Sequence, residues 1–172
     1  LNSQKCERIP DLLEIQFFPI VCSSGKTLYV VYNDNYNAKR PITLQSYDNG
    51  APSWQFKAPL PDDCPRTQGS SMVAVDNCIY VVGGAEKINA KYNINTDTWT
   101  LLSRPHLASK SHWYGTAGFL KDKIYLCGGG WFASDVSDDI EEYDTKSDTW
   151  IVSKLKLPKK LTFLTVAAVN FL

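Results

Sequence analysis

The side chains able to do chemistry are sparse in this sequence, and their spacing argues against most kinds of chemistry. His106 and His112 stand six apart, and neither has a Cys, Asp or Glu at metal-ligand spacing. Hydroxyls and thiols of the right type for nucleophilic catalysis occur, but no Gly-x-Ser-x-Gly elbow or comparable local signature supports a triad. Gly128-Gly129-Gly130 lacks the Gly-x-x-x-x-Gly-Lys-Ser/Thr spacing of a phosphate loop and closes an apolar run. The acidic stretch Asp135, Asp138, Asp139, Glu141, Glu142 has neither the pattern nor the glycine of an EF-hand, so it reads as a solvated loop. Cys6, Cys22, Cys64, Cys78 and Cys127 are odd in number and never form a Cys-x-x-Cys pair, which argues against a disulfide framework and a zinc site. The expectation is a chain with no catalytic residue, no metal and no cofactor.

The composition narrows the class further. Lys and Arg number 18, Asp and Glu 18, so the formal charge is zero and there is no basic excess to attract phosphate or anionic lipid. Neither a nucleic-acid nor a membrane partner is expected. Hydrophobic residues make up 44% of the chain, enough for a packed core, while no apolar run approaches the ~20 residues of a membrane helix. The sequence opens Leu1-Asn2-Ser3 without Met or a secretory pattern, which suggests a fragment. The cysteine usage and the absence of an Asn-x-Ser/Thr acceptor fit a reducing, cytoplasmic setting.

The elements that must position any site read as strands. Thr27–Tyr32, Cys78–Val82 and Lys123–Cys127 are short, β-branched and aromatic. Each follows a turn signal (Ser24-Gly25, Asp76-Asn77, Lys121-Asp122) and, before it, another apolar stretch (Pro19–Cys22, Ser71–Val75, Ala117–Leu120), so each pair predicts a hairpin. Only the segment 9–18 is ambiguous between helix and strand. The strand tyrosines Tyr29, Tyr80 and Tyr125 recur at intervals of 51 and 45 residues; Trp54, Trp99 and Trp150 recur at 45 and 51. Tyr47, Tyr92 and Tyr143 each precede a tryptophan by seven, bracketing a polar turn that predicts a second hairpin. The unit is about 48 residues of four antiparallel strands, too small to stand alone, so successive units must stack. Radial stacking of such sheets is a β-propeller.

Gly83-Gly84 and Gly128-Gly129 after an apolar strand, followed by Tyr92 or Tyr143 and then Trp99 or Trp150, resemble the kelch repeat. In the first copy the double glycine is replaced by Tyr32-Asn33. The resemblance implies an all-β, kelch-type β-propeller, incomplete, with three four-stranded blades at 16–60, 67–106 and 112–157. Residues 1–15 are expected to end a preceding blade, and 161–172, where Thr165–Asn170 mirrors Ser71–Asp76, to begin a truncated one. Kelch propellers close with about six blades. The chain is therefore expected to be part of a longer polypeptide or to close with a second copy.

Partner binding is expected on the face that gathers the loops between second and third strands (33–40, 85–90 and 131–139) and the connections between blades. Trp131 and Phe132 open the third loop ahead of Asp135 and offer an aromatic anchor. In kelch proteins a basic residue about thirteen before the strand tyrosine often faces the ligand; the positions here are Gln16, Thr67 and His112, with Arg66 one residue away. Arg66, His112 and Trp113 are thus further candidates, and a strongly acidic ligand motif is not expected. The resemblance implies a non-catalytic interaction module whose partner is a protein substrate or a cytoskeletal protein. More specifically, it suggests the substrate-selecting propeller of a BTB–kelch adaptor for a cullin-3-type ubiquitin ligase, the ligase being reached through a domain outside this chain. The alternatives are an actin-associated scaffold and, more remotely, a kelch-like enzyme.

Overall fold

A computed structural model describes residues 7–14, 18–31, 41–64, 66–105, 112–130, 132 and 134–163. Twelve strands follow one another in three four-stranded antiparallel sheets. The first sheet holds β1 (Ile20–Ser24), β2 (Thr27–Val31), β3 (Leu44–Asp48) and β4 (Gln55–Lys57) in that spatial order. The second holds β5 (Ser70–Val75), β6 (Cys78–Gly83), β7 (Ile88–Asn93) and β8 (Thr98–Leu101). The third holds β9 (Thr116–Leu120), β10 (Lys123–Cys127), β11 (Asp139–Asp144) and β12 (Thr149–Lys156). This is the all-β architecture of a partial kelch-type propeller. No helix occurs among the described residues, and residues 7–14 form no strand.

The first hairpin of each sheet turns on two residues, pairing Ser24 with Thr27, Val75 with Cys78 and Leu120 with Lys123. The loop between β6 and β7 is shorter than the expected 85–90, because Ile88, Asn89 and Ala90 already pair with β6. The loop 33–40 and the Tyr32-Asn33 pair lie outside the described residues, as do 1–6, 15 and 164–172 from the two expected flanking blades and 16–17 from the first full one.

The second strands read as continuous apolar runs because both of their faces are buried. In β6, Ile79 and Val81 enter the core shared with the first sheet, while Tyr80 and Val82 enter the core shared with the third. Alternation along a strand sends neighbours to opposite faces, so each such residue serves one of two cores. Burying a side chain of this size is worth about 1.5–3 kcal/mol. Both cores are therefore needed to hold the second sheet.

A repeated polar clamp fastens each sheet to the preceding segment. Trp99 Nε1 donates to the Ala58 carbonyl at 2.8 Å, and Asp97 Oδ1 accepts from the N–H of the same residue at 2.8 Å. Trp150 and Asp148 treat Ser103 in the same way, at 2.9 Å and 3.0 Å. The hydroxyls of Tyr92 and Tyr143 donate to the two aspartates at 2.7 and 2.8 Å. Trp54 Nε1 donates to the Pro10 carbonyl at 2.9 Å, so Pro10 takes the place that Ala58 and Ser103 take. A proline has no N–H to offer, and the residue two before Trp54 is Pro52 rather than an aspartate.

The clamp has a pH signature. Asp97 is held below the usual carboxylate range by the Ala58 N–H and the Tyr92 hydroxyl. Burial raises Asp148, but the hydrogen bonds from Ser103 and Tyr143 outweigh it and the net direction is also down. A depressed folded-state value contributes stability above the unfolded value of about 3.9, and that stability is lost as pH falls through the folded value. In urea titrations across that acid range, Asp97→Asn with Asp148→Asn should flatten the acid limb of the stability curve. Trp99→Phe or Trp150→Phe, which keep a phenyl ring but remove the five-membered ring and its donor and leave a carbonyl unpaired, should each cost about 1–3 kcal/mol.

Candidate functional site

The rim that carries the sequence-predicted site residues is built where the second strand of one sheet meets the entry to the next. Gly84, just past β6, forms a β-bridge with His112, its N–H donating to the His112 carbonyl at 3.3 Å. This contact joins the end of β6 to the entry of the third sheet, and the first strands β1, β5 and β9 lie side by side at the hub.

His112 is not on the surface of that face. It is 1% exposed and bonded to Glu141, itself 0% exposed, with Nε2 2.8 Å from Glu141 Oε2. Its Nδ1 lies 2.8 Å from the Gly128 carbonyl oxygen, which can only accept, so Nδ1 carries a hydrogen. The position thirteen before the strand tyrosine turns inward in the second sheet too, where Thr67 is 1% exposed. The expectation that His112 contacts a partner directly is thus corrected. Glu141 is 29 residues away in sequence and meets it only through the third-strand register. Gly129 permits the approach, since a Cβ there would lie 2.7 Å from the His112 carbonyl carbon, and its φ is +107°.

The other candidates separate into two groups. Arg66 is exposed; its N–H donates to Glu86 Oε2 at 3.1 Å and its guanidinium is 4.0 Å from Glu86 Oε1, both side chains being half-exposed. Phe132 is 66% exposed, on a turn held by its own N–H donating to Asp135 Oδ1 at 2.7 Å and by the Asp135 N–H donating back to the Phe132 carbonyl at 3.0 Å. Asp135 therefore shapes the turn. Trp113 is half-buried and stacks on Tyr114, with centroids 6.0 Å apart and planes within 7°. Trp131, His106 and Gln16 lie outside the described residues.

Gly83, Gly84, Gly128 and Gly129 all have positive φ at the ends of the second strands. Tyr92 and Tyr143 face Trp99 and Trp150 at 5.2 and 4.9 Å between ring centres. The two aspartates of the clamp were legible only as turn residues, although Asp-x-Trp recurs at Asp97/Trp99 and Asp148/Trp150. Asp138 and Asp139 face the Lys156 ammonium, at 3.9 and 2.7 Å. Among the described residues no three His, Cys, Asp or Glu converge as a metal site. Cys22, Cys64, Cys78 and Cys127 are free thiols. Burial pushes Cys22 and Cys64 up to about 12, so neither supplies a thiolate near neutrality.

The comparisons with known proteins agree with this geometry. Residues 66–106 and 114–152 each match a profile of the kelch motif. The chain carries kelch repeats, and its sheets are the blades of an incomplete propeller. It is 25% identical over 130 residues to an F-box/kelch-repeat protein of Arabidopsis thaliana, a match covering 72% of the chain and 29% of that protein. It is 27% identical over 128 residues to the F-box protein AFR of Arabidopsis thaliana, covering 70% and 33%. The solved structure of YjhT superimposes with a TM-score of 0.66 at 16% identity, over 87% of this chain and 54% of that one, a likeness of fold. The matches thus span about a third or less of these curated relatives.

Removing one partner of a buried pair strands the other. His112→Ala should cost about 3–5 kcal/mol in urea unfolding, and the double change His112→Leu with Glu141→Met should recover most of that loss. A cost under about 1 kcal/mol for the single change would show that the pair does not fasten the rim.

Proposed function

We propose that this chain is a protein-interaction module that recognises its partner through the loop face and performs no chemistry of its own. The observation that carries the reading is the division of polar groups on that face. The carboxylate–histidine pair that could do acid–base work is sealed at 0% and 1% exposure, whereas Phe132 and Arg66 are presented on loops that the sheets hold in place. The kelch repeats support the same reading, though fold alone does not assign a function.

A finer reading is substrate selection for a ubiquitin ligase, with the propeller as the receptor. The relatives are F-box proteins by name, which supports an F-box rather than a BTB companion domain in the longer protein and takes support from the cullin-3 assignment. A cytoplasmic setting belongs to this proposal and is supported by the free thiols. The test is proximity labelling in cells, followed by titration of a recombinant candidate partner against the wild-type chain and against Phe132→Ser with Arg66→Glu. A saturable partner that binds the variant about tenfold or more weakly is expected. Co-sedimentation with actin filaments would turn the reading to a scaffold, and substrate turnover would overturn it.

A further inference from the structure

The polar turn that joins the last two strands of each sheet is fixed differently in the first copy. In the second sheet Asn93 opens the turn, and its side-chain oxygen accepts from the N–H groups of Asn95 and Thr96 at 2.9 and 3.2 Å. In the third, Asp144 does the same for Lys146 and Ser147 at 2.8 and 3.1 Å. In the first, the corresponding Asp48 accepts instead from the Thr27 hydroxyl. The backbone closes that turn: the Ala51 N–H donates to the Asp48 carbonyl at 2.9 Å and the Asn49 N–H to the Lys26 carbonyl at 3.1 Å. Between these bonds stand Asn49 and Gly50, both exposed.

The amide carbon of an asparagine is an electrophile, and the nitrogen of the next peptide is the nucleophile nearest to it. Two things block their reaction: a side chain on the next residue, and a hydrogen bond that holds the nitrogen. Asn49 has neither guard. A Cβ built on Gly50 would meet nothing within 4 Å, and its φ of +87° is one that glycine leaves freely, so the peptide can turn to bring the nitrogen to the amide. Among the described residues no acceptor takes the Gly50 N–H and no side chain holds the Asn49 amide. The other described asparagines are guarded. The nitrogen after Asn93 belongs to Ile94 and donates to the Asn77 carbonyl at 2.9 Å; the one after Asn95 belongs to Thr96 and donates to Asn93. Asn77 and Asn89 precede residues already set in strands, Cys78 opposite Val75 and Ala90 opposite Val81.

We propose that Asn49-Gly50 is a site of self-modification, at which the chain converts its own amide to isoaspartate. The Gly50 nitrogen bonds to Asn49 Cγ, the Cγ–Nδ2 bond breaks, and the proton from Gly50 passes through solvent to the departing ammonia. The product is a cyclic imide. Water then opens the ring without any change of oxidation state. Attack at Cγ gives aspartate; attack at the main-chain carbonyl gives isoaspartate, whose main chain runs through Cβ and Cγ and is one methylene longer. The first sheet is where such a lengthening is felt most. Its outer strand β4 has only three residues, and its clamp at Pro10 lacks both the N–H and the aspartate. A longer turn loosens β4 from β3.

For the test, the full chain is kept in solution at neutral and mildly alkaline pH and digested, and its asparagine peptides are weighed. An isoaspartyl methyltransferase, which methylates that carboxylate, serves as the probe of isoaspartate. The Asn49 peptide should gain the mass of an acid about tenfold or more faster than those of Asn77, Asn93 and Asn95, and faster at the higher pH, with isoaspartate the larger product. Hydrogen exchange should then show the β4 amides losing protection in the kept chain. They should stay protected in Asn49→Gln, which must close a larger ring, and in fresh Asn49→Asp, which carries the charge on an ordinary main chain. Both variants change an exposed turn residue and should keep the thermal midpoint. Equal rates at all these asparagines, or a rate at Asn49 about tenfold or more below that of the chain in urea, would overturn the site. Aspartate without isoaspartate, or isoaspartate with unchanged β4 exchange, would overturn the loosening of the first sheet.

Discussion

The structure hangs on one interaction used twice in full and once in part: an indole N–H and an aspartate that together satisfy the carbonyl and N–H of a residue in the segment before. An exposed hydrogen bond is worth little, but here two act on the backbone of one residue while the tyrosine beside them fixes the carboxylate. The result is a fixed distance and angle between neighbouring sheets, which apolar contact alone sets only loosely. The junction with Pro10 shows the same logic by omission, since a residue without an N–H meets a copy without the aspartate.

With the outer strands clamped, the second strands can be apolar on both faces and still be held in register. The rim inherits that order. His112 and Glu141 bridge the bend at the Gly128-Gly129-Gly130 cluster, and Gly84 bonds back to His112, so the loop face is tied to both sheets that meet beneath it. A carboxylate–histidine pair in such a place resembles catalytic machinery in its atoms but not in its access. Its surroundings make it a fastener, because no solvent or substrate reaches either side chain.

What faces outward is a sparse mixture: a half-exposed ion pair at Arg66 and a ring at Phe132 on a pinned turn. Rings that are rigid and exposed bring large contact area at small entropic cost, which is how a surface of zero net charge can still recognise a protein. The curated relatives it matches are longer proteins, of which the matched segments cover 29% and 33%.

The repeat was legible because its marks are local. Turn pairs such as Asp76-Asn77, strand runs such as Cys78–Val82 and the fixed interval from Tyr92 to Trp99 follow from torsional preference and from side-chain alternation, which act over a few residues. Three four-stranded units, their strand order and the class of the fold were therefore within reach. Which polar residues are buried was not, since His112 and Glu141 are ordinary on the page and meet only because a third strand pairs beside a second. The sequence by itself determined the repeating strands and the residues that fill the space between them. Only the tertiary structure decided which side chains are exposed and which are buried, because exposure depends on neighbours that stand some 45 residues away along the chain and in contact in space.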